Sequence, residues 1–123
     1  MNLSKIIIGS CAALLLSACS TRVTDFTIIS SKNIDLSHGA AFNRAPARVK
    51  GEDRKSIYII FRTGEPNAKE AMDKAIESTP GAVGLLDGVI IKHEWYVPGI
   101  YGEFWYEVEG TPLIDPALLK SNK

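Results

Sequence analysis

Residues 67–110 read NAKEAMDKAIESTPGAVGLLDGVIIKHEWYVPGIYGEFWYEVEG, and this stretch decides the fold. Ala68, Ala71, Met72, Ala75 and Ile76 recur at helical spacing, while Lys69, Glu70, Asp73, Lys74 and Glu77 cover the other side. Asn67 offers an N-cap, with Glu70 three residues on to complete a capping-box-like pair and Lys74 to add an i, i+4 ion pair. Pro80-Gly81 stops the helix. The spacing predicts an amphipathic helix over about 67–79, and its small apolar residues place it close against a sheet. The period then changes to two. Val89, Ile91, His93 and Trp95 alternate with Ile90, Lys92, Glu94 and Tyr96 over Asp87–Val97. Pro98-Gly99-Ile100-Tyr101-Gly102 turns the chain, and Glu103–Gly110 sets Phe104, Tyr106 and Val108 against Trp105, Glu107 and Glu109. These two runs form a hairpin with a longer loop.

Outward from this core the signals weaken. Ser56–Phe61 (SIYIIF) is nearly all apolar, as a central strand buried on both faces requires. Arg62–Pro66 is a turn. Val23–Ser30 (VTDFTIIS) alternates β-branched and aromatic residues with polar ones and reads as a strand. Between them, residues 31–55 carry scattered Ser, Asn, Gly and Pro and read as a long loop, with room for a short strand near Ala47–Val49. Pro112 and Pro116 end regular structure and leave a tail over 113–123. The fold class is therefore α+β: a small, mainly antiparallel sheet of order β-β-α-β-β with one amphipathic helix packed on one face. It occupies a single domain over 23–112. The chain has 123 residues, too few for more than one domain of ordinary size. Its 14 basic residues match its 14 acidic ones, and its pI is about 6.7, which argues against a nucleic-acid partner.

The first residues, MNLSKIIIGSCAALLLSACS, carry an address. Lys5 is a short positive region, and Ile6–Ala18 is an uncharged apolar run shorter than the roughly 20 residues a membrane-spanning helix needs. The run ends in Leu16-Ser17-Ala18-Cys19, which resembles the lipobox of bacterial lipoprotein precursors. The resemblance implies that Leu16, Ser17 and Ala18 are read by the signal peptidase and that residues 1–18 are removed. Cys19 then carries a covalent diacylglycerol and an N-acyl group, with residues 19–22 as a lipidated N-terminus and short tether. No other cofactor and no metal is expected. Ser20, rather than Asp, implies passage to the outer membrane, facing the periplasm, if the bacterium has two membranes. Several acyl chains at about 0.8 kcal/mol per buried CH₂ make a firm anchor. Cleavage after Cys19, releasing a soluble secreted domain, and an uncleaved anchor are the competing readings. Cys11 follows Ile8-Gly9-Ser10, too near the start, and is filler in the apolar run. Residues 67–110 also resemble part of small TRL-like and other uncharacterised envelope lipoproteins. They share a helix with Ala every third or fourth residue, the Pro80-Gly81-Ala82 turn and a strand start at Leu86-Asp87. Those families have no assigned chemistry, so this likeness informs the fold.

Residues able to carry catalysis each have a plainer explanation. His93 and Glu94 are neighbours on a strand and face opposite sides, so they do not share a ligand, and His38 lies far along the chain. Ser30, Ser31, Ser37, Ser56 and Ser78 lack a nucleophile motif. Glu107 and Glu109 share a strand face that solvent alone explains, with Glu103 completing the acidic set. Arg44, Arg48, Lys50, Arg54 and Lys55 form a locally positive loop, interrupted by Glu52 and Asp53. The aromatic residues are more informative. Trp95, Tyr96, Tyr101 and Trp105 form the candidate contact surface, since exposed Trp and Tyr anchor interfaces. The expectation is a non-enzymatic, lipid-anchored binding or scaffold module that meets an envelope protein or a second copy through the aromatic hairpin and a sheet edge. A small envelope hydrolase with a site assembled in space is the alternative.

Overall fold

The computed structural model describes residues 18–120. In chain order these form β1 (Cys19–Ile29), a 3-10 turn (Leu36–Ala41), β2 (Asn43–Arg44), β3 (Val49–Tyr58), β4 (Phe61–Arg62) and α1 (Ala68–Glu77). Two long strands, β5 (Ala82–Val97) and β6 (Tyr101–Ile114), and a short helix, α2 (Pro116–Lys120), complete the domain. The strands make one antiparallel sheet of order β1-β5-β6-β3-β4, with β2 pairing the far end of β6. The α+β class is as the sequence predicts, with the two short strands β2 and β4 added.

Helix α1 begins where the N-cap signal places it. The Asn67 side chain accepts from the Lys69 N–H at 2.8 Å. The salt links differ from the expected pairing of Glu70 with Lys74. Lys69 instead meets Asp73 at 2.7 Å, and Lys74 reaches back to the Glu52 carbonyl of β3 at 2.9 Å. Asp53, buried on the helix side of β3, accepts from the Asn67 N–H at 2.9 Å and lies 3.4 Å from the Lys74 ammonium. Burial pushes its carboxyl up, but the Asn67 N–H and the ammonium groups of Lys55 and Lys74 outweigh this and hold it below the usual range.

The small face of α1 explains how close it lies. Ala71 and Ala75 are fully buried, and a Cβ on Gly51 of β3 would stand 2.1 Å from the Ala71 carbonyl oxygen. Met72, Ile76, Leu85, Ile90 and Val108 complete the core, with Phe26, Ile29 and Tyr106 at its border. One face of the sheet is therefore covered by the helix, and the other is open among the described residues.

Several sequence expectations change. Residues 31–55 are not one loop, because Val49–Lys55 belong to β3, which pairs residue by residue with β6 from Val49↔Gly110 to Tyr58↔Tyr101. Gly51 and the charged Lys50, Glu52 and Arg54 hide this strand from a hydrophobic pattern. Of the expected tail over 113–123, residues 121–123 lie outside the described residues, and the rest is structured: Leu113 and Ile114 continue β6, and α2 packs Leu119 against Gly81. Pro112 lies inside β6 and is fully buried, while its carbonyl accepts from the Ala45 N–H at 2.9 Å. The expected tether over 19–22 is strand, since Cys19, Ser20, Thr21 and Arg22 face Glu94, His93, Lys92 and Ile91. Ser56–Phe61 also divides, into the end of β3 and a tight turn at Ile59-Ile60, so that Ile59, Ile60 and Phe61 are exposed rather than central.

Candidate functional site

Strand register determines which side chains meet on the open face. His93 of β5 lies opposite Trp105 of β6, and Trp105 lies opposite Arg54 of β3. The His93 ring stacks on the indole with centroids 4.7 Å apart and planes at 11°. From the other side the Arg54 guanidinium sits 3.8 Å from the ring centre. Both faces of Trp105 are thus covered within the protein, and its Nε1 is buried with no hydrogen-bond partner among the described residues. A sugar ring finds no free indole face here.

The remaining candidate aromatics divide between the two faces. Trp95 and Tyr101 share the open face, edge to face at 5.6 Å, and Tyr58 adds a tilted contact with Tyr101 at 5.2 Å. Tyr101 donates to Glu103 at 2.8 Å, and Ser56 lies 3.0 Å from the same phenol oxygen. The Tyr101 hydroxyl and then Arg54 hold the Glu103 carboxyl below its usual range. Tyr96 points to the helix side, where its hydroxyl donates to the Ile59 carbonyl and accepts from the Gly99 N–H. Tyr96 also lines a groove of about 260 Å³ with Ile57, Ile60, Arg62 and Glu94.

The positive loop of the sequence reading is a set of ion pairs. Arg44 meets Asp87 at 2.6 Å, Arg48 meets Glu109 at 2.7 Å, Arg54 meets Glu103 at 2.7 Å, and Lys55 meets Asp53 at 3.5 Å. Lys50 bridges Glu52 and Glu107 at 3.3 and 3.4 Å. Glu107 and Glu109 do share the open face, and His93 and Glu94 do face opposite ways. His93 Nε2 lies 3.5 Å from Glu107. His38 sits beside Asp35 at 3.5 Å, and Ser31 donates to Asp73. Among the described residues, no three His, Cys, Asp or Glu side chains come together as metal ligands.

The outer edge of β1 is what sequence reasoning did not locate. Its eleven residues are almost all exposed, including Val23 and Ile28 at 52% and 56%. Among the described residues, no backbone hydrogen bond leaves its outer side. Arg22 and Asp25 pair with each other at 2.6 Å, and a register shift between Arg22 and Thr24 is the one irregularity. Alternation identifies such a strand, but only the sheet order shows that it is an edge. Cys19 is exposed at its first position, and Ala18 precedes it; Leu16 and Ser17 lie outside the described residues. No described helix is long and apolar enough to cross a membrane. Comparison with protein-family models, curated proteins and solved structures gives no match for this chain.

Proposed function

We propose that this chain is a lipid-anchored cell-envelope lipoprotein that acts as a binding or scaffold module, adding a strand from an envelope protein or a second copy to β1. The bare edge of β1 carries this reading. A long edge with unpaired N–H and C=O groups is a template for another strand, and monomeric proteins commonly block such edges with Lys, Pro or a covering loop. Here Arg22 and Asp25 neutralise each other, and Val23, Thr24, Thr27 and Ile28 leave the edge β-prone and open. The lipobox at Leu16–Cys19 supplies the anchor, through diacylglycerol and an N-acyl group on Cys19, and Ser20 directs it to the periplasmic side of the outer membrane. The open face contributes less than its aromatic content suggests, because Trp105 is enclosed by His93 and Arg54.

The test places a photo-crosslinking residue at Val23 or Ile28 in the full-length chain expressed in a bacterium, with Ala117 as control. Crosslinks from the edge positions to one protein or to a second copy are expected, and Lys at Ile28 with the probe at Val23, or Lys at Val23 with the probe at Ile28, should remove them. Edge positions that crosslink no more than Ala117 would overturn the reading.

A further inference from the structure

Half of the ten large apolar side chains exposed among the described residues gather at one end of the sheet. Ile59, Ile60 and Phe61 form the β3–β4 turn, with Ile60 75% and Phe61 71% exposed. Ile100, 67% exposed, occupies the β5–β6 turn. The two turns are joined, since the Ile59 N–H donates to the Ile100 carbonyl at 3.1 Å. Ile59 has φ 59°, a left-handed conformation that a β-branched residue rarely adopts and glycine accepts freely. An exposed isoleucine in that position is costly for folding alone. Behind the turns, Tyr101 packs against Tyr58 on one side and Trp95 on the other, a row of amphipathic aromatics on the open face. Apolar tip and aromatic row repeat the order of a membrane interface, hydrocarbon first and Tyr or Trp at headgroup level.

The position of Cys19 names the occupant. Cys19 opens β1 opposite Glu94, three residues before the end of β5, so it lies on the same end of the sheet as the tip. At about 3.3 Å per residue, the anchor point is roughly 10 Å along the strand axis from the turns. No free tether separates them, because residues 19–22 are paired strand. We infer that the β3–β4 and β5–β6 turns insert into the phospholipid surface that anchors Cys19, holding the domain upright with its strands pointing away from the membrane. This inference rests on the lipid-anchor reading above. Its geometric consequence is that two copies on one membrane do not pair their β1 strands antiparallel, since that would carry the second Cys19 to the opposite end of the sheet.

The test uses the full-length chain, processed in a bacterium, purified in detergent and reconstituted into phosphatidylethanolamine–phosphatidylglycerol vesicles. Cys11 leaves with the leader and the Cys19 sulfur is consumed by the lipid, so one introduced cysteine is the only free thiol. An environment-sensitive fluorophore is placed through Phe61→Cys, Ile100→Cys or, at the other end of the sheet, Ala117→Cys. Lipids spin-labelled near the headgroup should quench emission at 61 and 100 and leave 117 bright, and Ile60→Asp should restore emission at 100. Mass spectrometry of the N-terminal peptide reads Cys19 separately. Acylated Cys19 with unquenched tips, or equal quenching at all three sites, overturns the insertion alone, as does Ile60→Asp without effect. A free Cys19 thiol overturns the anchor and the insertion with it.

Discussion

Replacing Gly51 by Ala tests whether α1 is seated by backbone contact. The new Cβ would stand 2.1 Å from the Ala71 carbonyl oxygen, 2.4 Å from the Ala75 nitrogen and 3.0 Å from the Ala75 Cα. Ordinary contact begins near 3.4 Å, so the helix must retreat by about 1.3 Å along that line. All three obstructing atoms are backbone, and no change of rotamer relieves them. Retreat also loosens Met72 and Ile76 from Leu85, Ile90 and Val108. Overpacking costs typically 1–3 kcal/mol, and a clash on rigid backbone belongs at the top of that range, about 3 kcal/mol. For a domain of this size each kcal/mol moves Tm by about 4–8 °C, so a fall of roughly 12–24 °C is expected. The assay is urea unfolding of purified parent and variant followed by circular dichroism, with the midpoint lowered and the slope unchanged. Gly39→Ala is the control, since its Cβ meets nothing within 4 Å, and it should stay within about 0.5 kcal/mol. A Gly51→Ala chain as stable as the control would refute the close seating of helix on strand.

Two further outcomes follow from the geometry. The carboxyls of Asp53, Asp73 and Glu103 all titrate below their usual range in the folded chain, Asp73 through its bonds from Lys69 and Ser31. Groups of this sign stabilise the fold above their unfolded pKa of about 4 and lose that contribution as pH falls through the lower folded value, so the urea midpoint should hold from neutral pH to about 5 and drop below about 4; a midpoint unchanged down to pH 3 would exclude these links. Ile59→Gly relieves a left-handed residue held at a strain of about 1–3 kcal/mol, less the entropy glycine adds to the unfolded chain, for a net gain of about 1 kcal/mol. Calorimetry showing a lower Tm would contradict the strain, whereas a higher Tm with weaker quenching at the tip would mean that stability is exchanged there for membrane contact.

Legibility followed the range of the interactions. Helix α1 and the β5–β6 hairpin were readable because spacing, caps and turns act within a few residues, and Ala71 with Ala75 already announced a close-packed helix. The opposite faces of His93 and Glu94 came from strand geometry alone. Strand β3 is not readable over Val49–Lys55, because Gly51 and its charged residues break the hydrophobic pattern and its ladder partner β6 lies some fifty positions away. The same distance hides Arg54 on Trp105 and the pairing of Arg48 with Glu109. Proline removes a ladder donor and so signals a stop, yet Pro112 is accommodated inside β6, where its carbonyl accepts the neighbouring bond from the Ala45 N–H.

The residues by themselves determined what is local: the amphipathic helix, the period-two strands, the turns, and the run Leu16-Ser17-Ala18-Cys19 that resembles a lipobox. Those signals depend on φ/ψ preference and on side chains one turn or one pleat apart. Tertiary structure alone decided which strand is an edge, which hairpin face is open, and that Ile59, Ile60, Phe61 and Ile100 meet at the end of the sheet where Cys19 begins. These depend on the pairing of strands distant in sequence, where a shift of one residue exchanges the two faces.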